Sequence, residues 1–403
     1  MTNLQNYKKA EGVKNNVHQA TPALQGEIAV LGIRGLPANY GGLETCAEQI
    51  TRIWAEQGHR VLVYCRRQRY PVKIERIGGV RLKYTHSIQS KCLGTLTHTL
   101  VSVLDLLMFE RKVRVVHLYN TGNGIFAPLL KLFGKRLIIS GDGLEWKREK
   151  WGSLAKLVHR IGERMAMMFA DKVVVDNEVV RKYYADQYGY DPALISYGAK
   201  PIQCEASRAS EILKRFGLEP RKYFLFVGRL VPEKGVHELV HAYKKLNTEY
   251  PLVIIGDDAN NTPYRNELLR HQSDRIRFLG FLYGEDYEQL LINALLYVSA
   301  SRLEGTSPSL LAAMGARVCS LVNGIEENHA TADGAALMFD KDNYEHLQQR
   351  WQQLVDEPEL IEEWAEKGRR HAVDHYRWDA IANDYLSIFS QYTERREVVA
   401  KLQ

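Results

Sequence analysis

The chain has 403 residues, 45% of them apolar, and its 54 Lys and Arg residues nearly balance its 48 Asp and Glu residues. This composition excludes a disordered chain, and the length predicts two or three globular domains. The most apolar stretch, residues 93–109, is interrupted by Thr97, His98 and Asp105. It therefore predicts a buried or amphipathic helix and no membrane-spanning segment.

Residues 1–26 are polar and lack the apolar core of an export signal, so they predict a flexible tail and a cytoplasmic protein. The cysteines are odd in number and lack the paired spacing of a zinc or redox motif, which predicts reduced packing residues. They are Cys46, Cys65, Cys92, Cys204 and Cys319.

Short β-rich runs alternate with helical stretches from residue 27 onward, which predicts parallel sheets covered by helices. Six predicted strands belong to a first series, at residues 28–33, 60–65, 80–84, 113–118, 136–140 and 172–175. Five belong to a second series, at residues 223–227, 252–255, 276–279, 296–298 and 317–322.

The two series predict an α/β protein with two Rossmann-like, doubly wound domains, at residues 27–200 and 222–377. Residues 201–221 contain two prolines and a polar run, which is typical of a linker. Residues 378–403 have apolar positions at helical spacing, which predicts a final helix that packs back on the first domain.

The loop after the first strand of each series is a candidate binding site, since ligands of open α/β sheets lie beyond the carboxyl ends of the strands. In the first loop, Gly41 and Gly42 precede a probable helix, where backbone N–H groups approach an anion. The alternative is a tight turn that needs positive φ. The loop lacks a Gly-x-Gly-x-x-Gly pattern, which argues against a dinucleotide-dependent oxidoreductase.

The corresponding loop of the second series places Arg229 and Lys234 between a strand and a helix. Two cations in that position suit a diphosphate, because Arg forks to two phosphate oxygens and Lys adds a mobile charge. A structural surface pair is the alternative.

A third segment follows the predicted strand 296–298. Ser307 and Pro308 are suited to the cap and first position of a helix whose amino end would hold phosphate, together with Gly305 and Thr306. Glu304 stands just before them, where a carboxylate can hydrogen-bond to sugar hydroxyls.

Together these loops resemble the GT-B glycosyltransferases of family 4, and the resemblance covers nearly the whole chain. Residues 35–45 (GLPANYGGLET) and 142–151 (DGLEWKREKW) are similar to a bacterial subgroup that contains rhamnosyltransferases of surface polysaccharide assembly. The resemblance implies two domains facing across a cleft, with a nucleotide-sugar donor held mainly by the second domain and an acceptor by the first. It also implies retention of anomeric configuration, with no obligatory metal and no other cofactor.

By the same resemblance, Arg229 and Lys234 bind the donor diphosphate, Glu304 contacts the transferred sugar, and the Gly41–Gly42 pair faces the phosphates. Asp142 occupies a position where many relatives have His, and its carboxylate is expected to align or polarise an acceptor hydroxyl.

Ala312 departs from the family pattern, which has a second Glu eight residues after the first to hold the nucleotide ribose. Losing such a charge-assisted hydrogen bond typically costs about 1.5–3 kcal/mol. A weakened donor site is therefore expected. The alternative is an inactive homologue that acts as a binding or scaffold subunit.

The resulting hypothesis is a transferase that moves a sugar, with rhamnose suggested by the subgroup, from a dTDP-, UDP- or GDP-linked donor. The acceptor would be a lipid-diphosphate-linked oligosaccharide of exopolysaccharide, capsule or O-antigen synthesis, at the inner face of the cytoplasmic membrane. Residues 60–91 contain nine Lys or Arg and one acid, Glu75. This run predicts contact with the membrane surface or the acceptor diphosphate, with a solvated face as the alternative. No nucleic-acid-binding motif accompanies it.

Two further patterns imitate metal sites. His237 and His241 match the H-E-x-x-H pattern of zinc proteases. Their helix has its apolar face elsewhere and no third ligand is evident, so a polar helix surface is expected. Asp340 and Asp342 resemble a metal-binding acidic pair, but they follow a late strand, where a turn or helix start is expected.

Overall fold

Strands and helices alternate along most of the chain in the computed structural model, which describes residues 26–38, 41–89, 93–141, 143–147, 152–200, 206–258 and 262–401. The amino-terminal sheet has the order β3-β4-β2-β1-β5-β6-β7-β8 and is parallel except for the β3–β4 pair. Its strands are β1 (Glu27–Leu31), β2 (Arg60–Arg66), β3 (Arg76–Ile77), β4 (Val80–Thr85), β5 (Val113–Tyr119), β6 (Arg136–Ser140), β7 (Lys172–Val175) and β8 (Ala193–Leu194).

The carboxyl-terminal sheet has six parallel strands in the order β11-β10-β9-β12-β13-β14. Its strands are β9 (Phe224–Val227), β10 (Leu252–Ile255), β11 (Ile276–Phe278), β12 (Leu296–Ser299), β13 (Cys319–Asn323) and β14 (Leu337–Phe339). The predicted α/β class, with two doubly wound domains, is confirmed.

The described α-helices follow the strands in both domains. They are α1 (Gly42–Glu56), α2 (Leu93–Phe109), α3 (Ala127–Leu132), α4 (Ser153–Phe169), α5 (Glu178–Tyr188), α6 (Ala206–Arg215), α7 (Val236–Lys244), α8 (Pro263–Leu269), α9 (Gly284–Ile292), α10 (Pro308–Gly315), α11 (Glu326–Ala332), α12 (Tyr344–Asp356), α13 (Pro358–His375) and α14 (Trp378–Lys401). None of them, over the described residues, is long and apolar enough to cross a membrane.

All eleven predicted strands occur, within two residues at each end. The sequence missed β3, β8 and β14, which have only two or three residues each and carry little pattern. The predicted linker, residues 201–221, contains helix α6, which packs against α9. Ile212 and Leu213 of α6 are buried in that contact region, so α6 packs on the second domain.

The amino-terminal sheet is covered on both faces. Helices α2 to α5 bury their inner sides in one apolar cluster against strands β1, β5, β6 and β7. On the opposite face, α14 packs against α1, and the Trp54 indole Nε1–H donates to the carbonyl of Ala382 at 2.9 Å. The chain therefore returns to its first domain after completing the second.

The chain crosses between the domains at two adjacent points. Residue 199 leaves the first domain and residue 377 re-enters it, and these positions form a parallel β-bridge. The Ala199 N–H donates to the carbonyl of Tyr376 at 2.6 Å. At Gly198 a Cβ atom would stand 2.3 Å from the Trp378 ring, so only glycine allows the two segments to lie this close.

His117 of β5 lies beneath α14 in an aromatic cluster. Its ring centroid is 4.8 Å from that of Tyr385 and 5.9 Å from that of Phe389, and its Nε2 hydrogen-bonds to Ser140 Oγ at 2.7 Å. Burial lowers the pKa of His117 to about 3. The imidazole is therefore neutral in the folded protein throughout the physiological range.

We expect this histidine to make the protein acid-sensitive. Because its pKa is lower in the folded than in the unfolded chain, the unfolded chain takes up a proton below about pH 6.5 and stability falls as the pH falls from there towards 3. The loss at pH 5 is expected to be about 2 kcal/mol. Thermal unfolding from pH 7.5 to 5 should show a smaller decrease for His117→Gln than for the original protein. His241→Gln, at an exposed position, should retain the original slope.

Candidate active site

The glycine loop that follows β1 is held in place by two carboxylates of α1. The Arg34 N–H donates to Glu44 Oε1 at 3.1 Å, and the Ala38 N–H donates to Glu48 Oε2 at 2.8 Å. Burial raises the pKa of Glu44, although the nearby Arg34 guanidinium opposes the shift. Glu44 and Glu48 are one helical turn apart, so residues 34 and 38 of the loop are both bonded to the first turns of α1.

Gly41 and Gly42 open α1 at the cleft, and neither has the positive φ that a tight turn would require. Gly41 has an extended φ of −168° and stands at the cap position. The turn interpretation is therefore wrong. At Gly42 a Cβ atom would stand 2.6 Å from Pro308 Cγ, across the cleft. Gly42 is thus one point at which the first domain touches the amino end of α10.

The cation loop of the second domain connects β9 to α7. It contains Arg229 and a 3-10 turn, Pro232–Lys234. Gly235 ends this turn with a φ of 63°, and a Cβ atom there would stand 2.2 Å from the Ala300 carbonyl oxygen. This close approach holds the loop against the segment that leaves β12.

Lys234 and Glu304 form an ion pair between these two segments. The Lys234 ammonium donates to Glu304 Oε1, and the two side chains are only 16% and 9% exposed. Arg229 is half-buried in the same loop, and its guanidinium makes no hydrogen bond or ion pair within the described part of the chain. The loop therefore offers one paired and one unpaired cation.

Helix α10 starts at Pro308 with Ser307 at the cap position, as predicted. The Ser307 hydroxyl does not cap the helix backbone. It hydrogen-bonds instead to Ser309 Oγ at 3.2 Å, and Ser309 Oγ also hydrogen-bonds to Tyr297 OH at 2.9 Å. The first N–H groups of α10 thus keep their capacity to donate to an anion.

Ala312 lies on the same helix, one turn after Ser309. Both residues are half-buried, whereas Leu310, Leu311 and Ala313 are buried. Ala312 thus occupies the less buried side of α10, and no carboxylate stands at this position.

Asp142 lies outside the described residues. Its neighbour Gly143 is described, and a Cβ atom on Gly143 would stand 3.7 Å from the Glu304 carbonyl oxygen and from Gly305. The loop after β6 therefore approaches the Glu304 segment across the cleft.

Comparison with solved structures identifies the fold. Sucrose-phosphate synthase from Thermosynechococcus elongatus superposes with a TM-score of 0.76 at 17% identity, over 92% of this chain and 100% of that chain. Anabaena Alr3699/HepE, solved in complex with UDP and glucose, superposes with a TM-score of 0.71 at 15% identity, over 91% of this chain and 100% of that chain. The fold is GT-B.

Sequence comparison indicates the type of reaction. Residues 209–371 match the family described as Glycosyl transferases group 1. The protein is a GT-B glycosyltransferase. Residues 25–200 match a domain of unknown function, DUF1972. Alpha-maltose-1-phosphate synthase from Mycobacterium tuberculosis is 26% identical over 267 residues, which cover 60% of this glycosyltransferase and 69% of that protein.

The glycosyltransferase has a contact between its two domains that was not predicted from the sequence. Asp176 follows β7, and its carboxylate accepts the Thr306 N–H at 2.9 Å and the Gly143 N–H at 3.4 Å. The Thr306 hydroxyl donates to the Asp176 carbonyl and accepts from Ser196 Oγ at 3.2 Å. The sequence did contain an indication that Asp176 lies at the cleft, because this residue directly follows a predicted strand at the cleft edge.

Asn177 and Glu327 lie next to this contact in the glycosyltransferase cleft. The Asn177 side-chain amide donates to the Glu327 carbonyl at 3.3 Å and to Thr331 Oγ1 at 3.4 Å. Burial raises the pKa of Glu327, while Lys147 lowers it and Glu304 adds a further increase. The negative charge of Glu304 therefore acts on the protonation of Glu327.

The patterns that imitate metal sites have structural explanations. His237 hydrogen-bonds to Tyr264 OH at 2.7 Å, His241 is exposed, and the apolar side of α7 is buried. Asp342 lies in a turn with a φ of 58°, and it exchanges two hydrogen bonds of 3.0 Å with Asn323. The expectation of a turn there is confirmed.

The basic run 60–91 does not form one face in the described chain. Arg81 pairs with Glu27 and Glu110, while Lys83 pairs with Asp105 and Glu110. Arg60 and Arg66 stand at opposite ends of β2. The exposed members at the carboxyl end of β2 are Arg67 and Arg69, and Lys91 lies outside the described residues.

Proposed function

We propose that the protein transfers a sugar from a nucleoside-diphosphate sugar, with the donor diphosphate between the cation loop and the amino end of α10. The observation that carries this proposal is the convergence of Lys234, Glu304 and the start of α10, with Arg229 in the same loop as Lys234. Guanidinium, ammonium and backbone N–H groups are the donors that bind phosphate oxygens. The solved relative that contains UDP and glucose supports this class of donor.

The proposed chemistry is stabilisation of the leaving group. Negative charge grows on the nucleoside diphosphate as the glycosidic bond breaks, and Arg229, Lys234 and the first N–H groups of α10 meet that charge. When phosphate enters, it competes with Glu304 for the Lys234 ammonium, which releases the carboxylate to bind hydroxyls of the transferred sugar. Transfer is proposed to retain the anomeric configuration and to require no metal, because side-chain cations neutralise the diphosphate.

The proposed acceptor is a lipid-diphosphate-linked glycan of surface polysaccharide synthesis, bound by the first domain. Arg67 and Arg69 support this proposal, because they are exposed cations at the cleft end of β2. In this proposal Asp142 aligns the acceptor hydroxyl. The similarity of residues 35–45 and 142–151 to rhamnosyltransferases supports rhamnose as the sugar, with dTDP as the carrier and UDP or GDP as alternatives.

A thermal-shift panel of UDP, GDP, dTDP and their sugars, with and without EDTA, tests the donor site. A ligand at a hundred times its dissociation constant should stabilise the protein by about 2.7 kcal/mol. The expected result is a selective shift that EDTA leaves unchanged, followed by donor hydrolysis with that nucleotide sugar. Loss of the shift in EDTA would overturn metal independence, and the absence of any shift would overturn the donor site.

Ala312→Glu separates a weakened enzyme from a binding or scaffold subunit. A carboxylate on the less buried side of α10 would supply the acceptor that the family uses for the ribose. We expect tighter donor binding, by about ten- to a hundredfold, and faster transfer. Ala312→Gln, with a similar shape and no charge, is the matched control. If the original protein and Ala312→Glu both bind nucleotide and neither transfers sugar, the interpretation as a binding or scaffold subunit replaces that of a weakened enzyme.

A further inference from the structure

Helix α2 exposes many large apolar side chains, and part of its buried side is polar. Its inner side buries Val103 and Leu106 in the apolar cluster. The same side also buries His98, Thr99 and Ser102, each with no measurable exposure. Its outer side exposes Leu104 and Met108, together with four other large apolar side chains of the same helix. A water-facing helix normally places these residue types the other way round, so the outer side of α2 is suited to an apolar environment.

The same exposure continues over the neighbouring helices. Of the sixteen large apolar side chains that are exposed in the described part of the chain, six lie on α2, two at the end of α3 and four on α4. The inner sides of these three helices pack on one face of the amino-terminal sheet, so their outer sides point in a common direction. We call this surface the apolar face. In the described second domain, only Phe281 belongs to the same group.

In the described part of the chain, the exposed charged side chains on α4 and directly after α2 are all positive. The exposed charged residues of α4 are Arg160 and Arg164, and Arg111, Lys112 and Arg114 are exposed just after α2. The carboxylates of these helices point inward. Asp105 bonds to Tyr64 and Lys83, and Glu163 is buried against Tyr183 and Tyr188.

We propose that the apolar face of α2, α3 and α4 docks on a bilayer that contains anionic phospholipid. Apolar side chains would enter the boundary between headgroups and acyl chains, while the surrounding Arg and Lys side chains pair with phosphate. This inference deepens the proposed function, because a lipid-linked acceptor requires the enzyme to work at a membrane surface. It assigns the membrane contact to these helices, and it leaves the exposed cations of residues 60–91 to the acceptor diphosphate.

The position of the apolar face suits this role. Helices α2 and α4 begin at the carboxyl ends of the strands they follow, which is the cleft edge of the domain, and each has seventeen residues, or about 25 Å of length. A lipid-linked substrate could therefore pass from the docked surface into the cleft along their amino ends.

Vesicle co-sedimentation tests the proposal directly. The original protein should sediment with vesicles of phosphatidylcholine mixed with phosphatidylglycerol, and less with phosphatidylcholine alone. Double variants Leu104→Ser with Met108→Ser, and Leu157→Ser with Ile161→Ser, should each lower partition by about tenfold or more. Leu194→Ser is the matched control, since Leu194 and Leu104 are both 43% exposed and Leu194 lies on β8. All four positions are exposed, so unchanged thermal midpoints should show that folding is retained.

Three outcomes would overturn the docking surface: no binding of the original protein to either vesicle, equal binding by the double variants, or a dimer that the double variants dissociate. The last would assign the apolar face to a second copy of the chain. The nucleotide thermal shift separates this proposal from the donor site. A shift that persists in the double variants supports the donor site whatever the vesicles show, and vesicle binding without any shift supports docking alone.

Discussion

Replacing Lys234 by Ala is expected to lower the rate of sugar transfer by about 10²- to 10³-fold, the usual effect of losing one group that stabilises charge in a transition state. The change removes a cation from the proposed diphosphate site. It also leaves the Glu304 carboxylate, only 9% exposed, without its ammonium partner. Single-turnover transfer with saturating donor would measure the effect on the chemical step.

The matched control is Lys222→Ala in the same domain. Lys222 also pairs with a carboxylate, that of Glu219, but this pair lies on the surface. We expect it to transfer sugar at the original rate. A Lys234→Ala protein with the original rate and an unchanged thermal midpoint would remove this residue from the transfer mechanism.

Gly42→Ala is expected to slow transfer by about 100-fold, because it separates the two halves of the site. A Cβ atom would stand 2.6 Å from Pro308 Cγ, whereas ordinary contacts begin at 3.4 Å, so the domains must move apart by about 0.8 Å. A displacement of this size between reacting groups can cost two orders of magnitude. Gly42 lies within α1 and needs no positive φ, so the added methyl group acts only across the cleft.

Gly152→Ala is the matched control for this change. Gly152 also stands at the start of a helix of the first domain, with a φ of −71°, and nothing lies within 4 Å of an added Cβ atom. Donor binding measured by thermal shift should remain in both variants. If Gly42→Ala transfers sugar as fast as Gly152→Ala, close contact between Gly42 and Pro308 is unnecessary for catalysis.

The central strands were predictable because both faces of a parallel sheet are buried. Such strands are continuous apolar runs bounded by polar residues, as at 136–140, 172–175 and 252–255, and these three match the structure at both ends. Short or peripheral elements were harder to predict. Strand β8 has two residues, and α6 buries only a narrow apolar side against α9, so neither differs much from a polar connection.

Part of the site was also accessible from the sequence, because Arg229, Lys234 and Glu304 each follow a strand closely. What the sequence lacks is the pairing of loops across the cleft. Asp176 and Thr306 are separated by 130 residues, and their contact depends on how the two domains face each other. The exposed apolar side of α2 could not be predicted for a similar reason. The residues of 93–109 predict a helix, but only its packing shows that His98 points inward while Leu104 points outward.

The adjacent crossings at residues 199 and 377 limit how the two domains can move relative to each other. A single connecting segment would let one domain swivel and twist freely with respect to the other. Two segments joined by a β-bridge, and pressed together at Gly198 and Trp378, remove most of that rotational freedom. We therefore expect any opening of the cleft to be close to a rotation about one axis through the paired segments. The groups on opposite sides of the cleft would then return to the same alignment after each product departs.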